Sequence, residues 1–126
     1  MFLRFSLKSP DGDSGYRQGI LVAAHELRDS EGLSVAEHEE LRVSLAWFNM
    51  NLNHPACLAD PNNRRALSWF KPEATKPIAR MWALKAILEN HGYTVDVLKT
   101  VDPGIVLFED GWQVVAKPPK GKKVSW

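Results

Sequence analysis

The chain has a single cysteine among its 126 residues, Cys57, so no internal disulfide and no multi-cysteine zinc site can form within it. No apolar run approaches the ~18 residues that a membrane-spanning helix needs. The N-terminal stretch "MFLRFSLKSPDGDSG" has too short an apolar segment, and no small-residue cleavage site, to act as a secretory signal. Together these absences predict a cytoplasmic protein with no membrane partner. Neither sign of charge dominates, the formal net charge being +1. The glycines spell neither G-x-G-x-x-G nor a phosphate loop, and there is no G-x-S-x-G, so nucleotide-fold and serine-hydrolase chemistry have no signature here.

What is present is ordinary globular composition. Hydrophobic residues make up 44% and charged residues 25%, which disfavours disorder, and the length suits one domain with one core. Charge is unevenly placed: residues 1–60 carry five Lys/Arg against nine Asp/Glu, a net of −4, and residues 61–126 carry eleven against six, a net of +5. Such an asymmetry orients a partner but does not by itself point to nucleic acid.

Periodicity yields the elements. In "MFLRFSLKS", Leu3, Phe5 and Leu7 alternate with Arg4, Ser6 and Lys8, which is a strand. "PDGDSG" breaks the chain, with Asp13 or Ser14 suited to cap a helix that follows. From Tyr16, apolar residues fall at 16, 20, 23, 24 and 27, the spacing of a helix that ends near "RDSEG". Ser34 and Glu37 form a capping box ahead of a second helix whose inner stripe is Leu41, Leu45, Phe48 and Leu52. "NHPACLADPNNRR", residues 53–65, reads as loop, and "ALSWF" as a short buried strand. A third helix begins after Thr75, with Pro77 in the first turn, and stops at His91-Gly92. "YTVDVLKT", "IVLFE" and "WQVVAKP" are strands, the last two joined by an Asp110-Gly111 hairpin. The predicted order is β-α-α-β-α-β-β-β: one α+β domain over residues 1–118, its sheet mixed or antiparallel with helices packed on it, then a flexible basic tail at 119–126.

Candidate chemistry is sparse. His25-Glu26-x-x-Asp29 lacks the second histidine of a zincin helix, and with the apolar stripe turned inward His25 faces water, so a solvated His/Asp pair is the commoner arrangement. His54 and Cys57 have a spacing that two metal ligands or a Cys/His nucleophile pair use, but two residues do not complete a site. His38, among the acids of the second helix, and His91, at a helix C-terminus, have sufficient structural roles. A metal-dependent or Cys/His hydrolase built on His25, Asp29, His54 or Cys57 is therefore the third-ranked reading, and no cofactor is implied.

Apolar surface is more informative. Val43, Trp47 and Met50 form a second stripe on the second helix, opposite its inner one, and Leu21 lies beside His25 outside the main stripe of the first. A helix apolar on two sides is either sandwiched within its domain or offers an interface. The leading expectation is thus a protein-binding domain, an adaptor, regulator or inhibitor that binds a protein partner or itself through Leu21, His25, Val43, Trp47 and Met50. The alternative is nucleic-acid binding. Arg64, Arg65, Lys71, Lys76 and Arg80 surround Trp69-Phe70, and Lys120, Lys122 and Lys123 follow the last strand, an interleaving of cations and aromatics that suits phosphates and bases, although "SWF" also reads as interior.

Across "SGYRQGILVAAHELRDS", "LAWFNMNL", "WFKPEATKPIARMW" and "HGYTVDVLKTVDPGIVLFEDGWQVVAKP", which cover most of residues 14–118, the chain is similar to a group of short bacterial proteins of unassigned function. That resemblance implies one intact domain and brings no activity, cofactor or site residue with it.

Overall fold

The alternation in the first strand decides where everything else packs. In the computed structural model, which describes residues 1–10, 17–119 and 126, β1 (Phe2–Pro10) is the centre of a curled six-stranded antiparallel sheet. β4 (Val95–Thr100) zips along one edge of β1 from Phe2↔Thr100 to Leu7↔Val95. On the opposite edge β3 (Leu67–Phe70) pairs with β1 only at Leu3↔Phe70, while the short β2 (Arg17–Gly19) takes over from Ser6↔Gly19 to Pro10↔Arg17. The sheet continues from β3 through β6 (Gln113–Lys117) to β5 (Ile105–Glu109). Among the described residues every strand pair is antiparallel, so of the two sheet types expected the antiparallel one forms, with no parallel crossover among them.

Three helices, α1 (Ile20–Arg28), α2 (Val35–Asn51) and α3 (Thr75–Asn90), cover one face. Phe5 and Leu7 of β1, Phe70 of β3 and Val95 of β4 meet Ala23, Leu41, Phe48 and Leu84 in a single core. Alternation then puts Trp69 on the other face, where it is 1% exposed and packs edge-on against Trp126, with ring centroids 4.7 Å apart. Trp126 also accepts a hydrogen bond on its main-chain oxygen from the Arg17 N–H at 2.7 Å; residues 120–125 of the basic tail lie outside the described ones.

The helix ends follow their local chemistry. The Ser34 hydroxyl accepts from the Glu37 N–H at 3.1 Å while the Glu37 carboxylate takes the Ser34 N–H, the reciprocal box that the spacing predicts. α3 closes with Tyr93 N–H on the Leu88 carbonyl and Gly92 N–H on that of Glu89, a Schellman ending that needs Gly92 at φ +87°. The first helix departs from expectation. It starts at Ile20 rather than Tyr16, because "RQG" is drawn into β2 by the free edge of β1, and Asp13, Ser14 and Tyr16 lie outside the described residues. The 53–65 loop contains two 3-10 turns, Ala56–Ala59 and Pro61–Asn63. At the last hairpin Gly111 does not adopt positive φ. Asp110 instead accepts the N–H groups of both Trp112 and Gln113 on one carboxylate oxygen, each at 2.8 Å, and the turn residues become Gly111-Trp112.

Candidate functional site

Two places in the fold combine exposed apolar groups with organised polar ones. The first lies on the outer stripe of α2. The inner stripe of Leu41, Leu45, Phe48 and Leu52 is buried as expected, which leaves Val43 47% and Met50 83% exposed on the other side, with Trp47 half-buried between them. Trp47 is not loose. Its ring stacks on Trp112 at 5.7 Å with 24° between planes, the Arg80 guanidinium of α3 lies 4.6 Å from its centroid, and Phe48 meets it edge-on at 5.2 Å.

Trp112 is held there by its turn. Asp110, besides taking the two turn N–H groups, accepts from the Asn53 amide at 2.7 Å, and the Trp112 carbonyl accepts from the Lys71 N–H at 2.8 Å. Burial alone pushes the Asp110 carboxyl up, but the Trp112, Gln113 and Asn53 hydrogen bonds outweigh it and hold the group below the ordinary aspartate range.

The second place is a cleft of about 530 Å³ at the seam where β1 passes from β3 to β2. Arg4 and Phe5, the two β1 residues between those pairings, form its floor. Arg17, Gly19 and the first turn of α1 supply one wall, and Leu52, His54, Leu58 and Arg64 with strand β3 supply the other. Arg4, 9% exposed, donates from its guanidinium to the Arg17 carbonyl, and Arg17 reaches across β1 to Asp96 at 2.5 Å.

The expected contact residues are divided between these places. Val43, Trp47 and Met50 share the outer stripe of α2, whereas Leu21 lines the cleft, half-buried, and His25 is exposed on α1. The carboxylate of Asp29 bonds its neighbour Arg28 at 3.1 Å, which lowers its pKa, and His25 and Asp29 are joined through the backbone at the helix end. His54 lines the cleft without Cys57, and among the described residues no group of three His, Cys, Asp or Glu side chains converges for a metal. His91 has a structural partner: its ring bonds Glu37 at 2.8 Å, tying the end of α3 to the capping box of α2 and lowering the Glu37 pKa.

The cations of the nucleic-acid reading are dispersed by the fold. Lys71 pairs with Glu109 at 2.6 Å, Arg80 lies on Trp47, and Trp69 and Phe70 are only 1% and 7% exposed, whereas stacking of successive bases needs exposed rings. Arg64, Arg65 and Lys76 are exposed, and Lys120, Lys122 and Lys123 lie outside the described residues. The cleft itself escaped sequence reasoning. Its residues come from segments 4–5, 17–22, 52–70, 81 and 113, and only the "RQG" strand, whose alternation is too short to register, would have hinted at it. No helix among the described residues is long and apolar enough to cross a membrane. The chain matches no family model, no curated protein and no solved structure.

Proposed function

We propose that this chain is a non-catalytic protein-binding domain and that the outer stripe of α2, centred on Trp47, is its contact surface. One observation carries the reading: Trp47 is fixed by Trp112 and Arg80 while Val43 and Met50 stay exposed on either side of it along the helix. Tryptophan, arginine and methionine are the residue types that concentrate binding energy where proteins meet, and a ring already held in place loses little rotamer freedom on docking. Catalysis finds less support, because His25, His38 and His54 are exposed singly, His91 is bonded to Glu37, and Cys57 is half-buried and does not line the cleft with His54. Binding of a protein partner or of a second copy needs only the surface described.

The test uses the two exposed flanks rather than Trp47, whose removal would also loosen the fold. Val43→Glu with Met50→Glu should retain the wild-type circular dichroism and melting temperature. The same double variant should lose self-association in light scattering, or lose the cross-linked partner identified by mass spectrometry from the native host. A folded double variant with unchanged mass and an unchanged cross-linking pattern removes the proposal.

A further inference from the structure

The cleft at the β2/β3 seam has a composition that the contact surface on α2 does not explain. Three arginines line it, Arg4 from β1, Arg17 from β2 and Arg64 from the turn before β3, together with His54, and among the described lining residues there is no aspartate or glutamate. Asp96 pairs with Arg17 from the far edge of β1, and the Arg4 guanidinium donates to the Arg17 carbonyl. The Arg64 guanidinium is exposed and bonds no other described residue. Cations gathered in a concavity with apolar walls focus a positive field there.

Two further features point the same way. The first turn of α1, Ile20 to Val22, opens on the cleft; its N-cap is Gly19, with no side-chain cap and no acidic residue in the turn, so its N–H groups present the positive end of the helix. Trp69 also lines the cleft, and its indole N–H, although buried, has no acceptor among the described residues. The rest of the lining is apolar: Leu21, Leu52, Leu58, Phe70 and Met81. At about 530 Å³ the volume lies within the ~300–1,000 Å³ that small-molecule sites occupy.

We infer that the seam cleft binds a small molecule carrying one anionic head group, a carboxylate or a phosphate, on an apolar body. The head group sits between the exposed Arg64 guanidinium and the N–H groups of α1, where a planar guanidinium gives paired hydrogen bonds to either oxyanion. The body lies against Leu52, Leu58 and Met81. This site is separate from the outer stripe of α2, so the two proposals stand or fall independently.

Isothermal titration with four probes tests it: hexanoate, hexyl phosphate, inorganic phosphate and hexanol. At least one of the two anionic amphiphiles should bind saturably, and about tenfold or more tighter than both inorganic phosphate and hexanol, and whichever of them binds tighter identifies the head group. The amide signals of Gly19 to Leu21 and the indole N–H signal of Trp69 should shift with the same saturation curve. Arg64→Ala and Leu58→Asp, both at exposed positions, should each weaken binding about tenfold without lowering the melting temperature. The inference is overturned if neither amphiphile binds saturably, if hexanol binds as well as they do, or if both variants bind like the wild type.

Discussion

The two edges of β1 make different use of one strand. Along the first, β4 pairs without interruption from Phe2 to Leu7, and the edge is simply closed. Along the second, β3 and β2 divide the pairing between them and leave Arg4 and Phe5 at an opening. An unbroken ladder satisfies backbone groups and leaves nothing for a ligand to do. A split ladder leaves a concavity, floored in part by core residues such as Phe5, and there the arginines collect. Closed edges carry stability and the open seam carries recognition, a division that substitutions can break or sharpen.

The largest effect should come from Phe5, which is 3% exposed and belongs to both the core and the floor of the cleft. Phe5→Ala should cost about 3–5 kcal/mol in urea unfolding, since a large buried ring leaves a void in a packed interior. A loss under about 1 kcal/mol would show that the closed edge holds without its core residue.

Next comes the clamp that positions Trp112. Asp110→Ala removes the acceptor of two turn N–H groups and of the Asn53 amide, and should cost about 1–3 kcal/mol and shift the Trp47/Trp112 fluorescence. The same carboxylate sets an acid limit. Its pKa is lower in the folded chain than in the unfolded one, so its contribution is fully present above about pH 4, the ordinary aspartate value, and is lost as pH falls through the folded value. Asp110→Asn, which keeps an acceptor but does not titrate there, should therefore lose less stability than the wild type between pH 7 and pH 3. Equal acid losses in the two proteins would refute this account of the clamp.

The smallest effect on stability belongs to the open seam. Arg64→Ala should change unfolding by no more than about 0.5 kcal/mol, as surface substitutions without partners do. A larger destabilisation would assign Arg64 to the framework and blur the contrast between the edges.

Much of the framework was legible in the residues. The Ser34/Glu37 box, the Gly92 ending and the inner stripe of α2 rest on contacts within a few positions, and alternation in residues 3–7 located the central strand. Local rules failed where a partner distant in the chain decided the outcome. "RQG" became a strand instead of the first turn of a helix because the edge of β1 was available to it, and the Asp110 carboxylate that takes its neighbours' N–H groups in the last turn is also held by Asn53, 57 residues away. The apolar character of Val43, Trp47 and Met50 was readable, but the neighbours that hold Trp47 come from α3 and from the turn between β5 and β6, which no spacing in α2 specifies.

By itself, then, the order of residues determined the α+β class, the capping box of α2, the Gly92 ending of α3 and the inner stripe of α2, because those depend on dihedral preferences and hydrogen bonds over a few residues. Only the tertiary structure decided that the sheet is wholly antiparallel, that one edge of β1 is shared, and that Arg4, Arg17 and Arg64 face a common space. Those outcomes depend on which distant segments compete for the same backbone edge, a contest settled by packing of the whole chain.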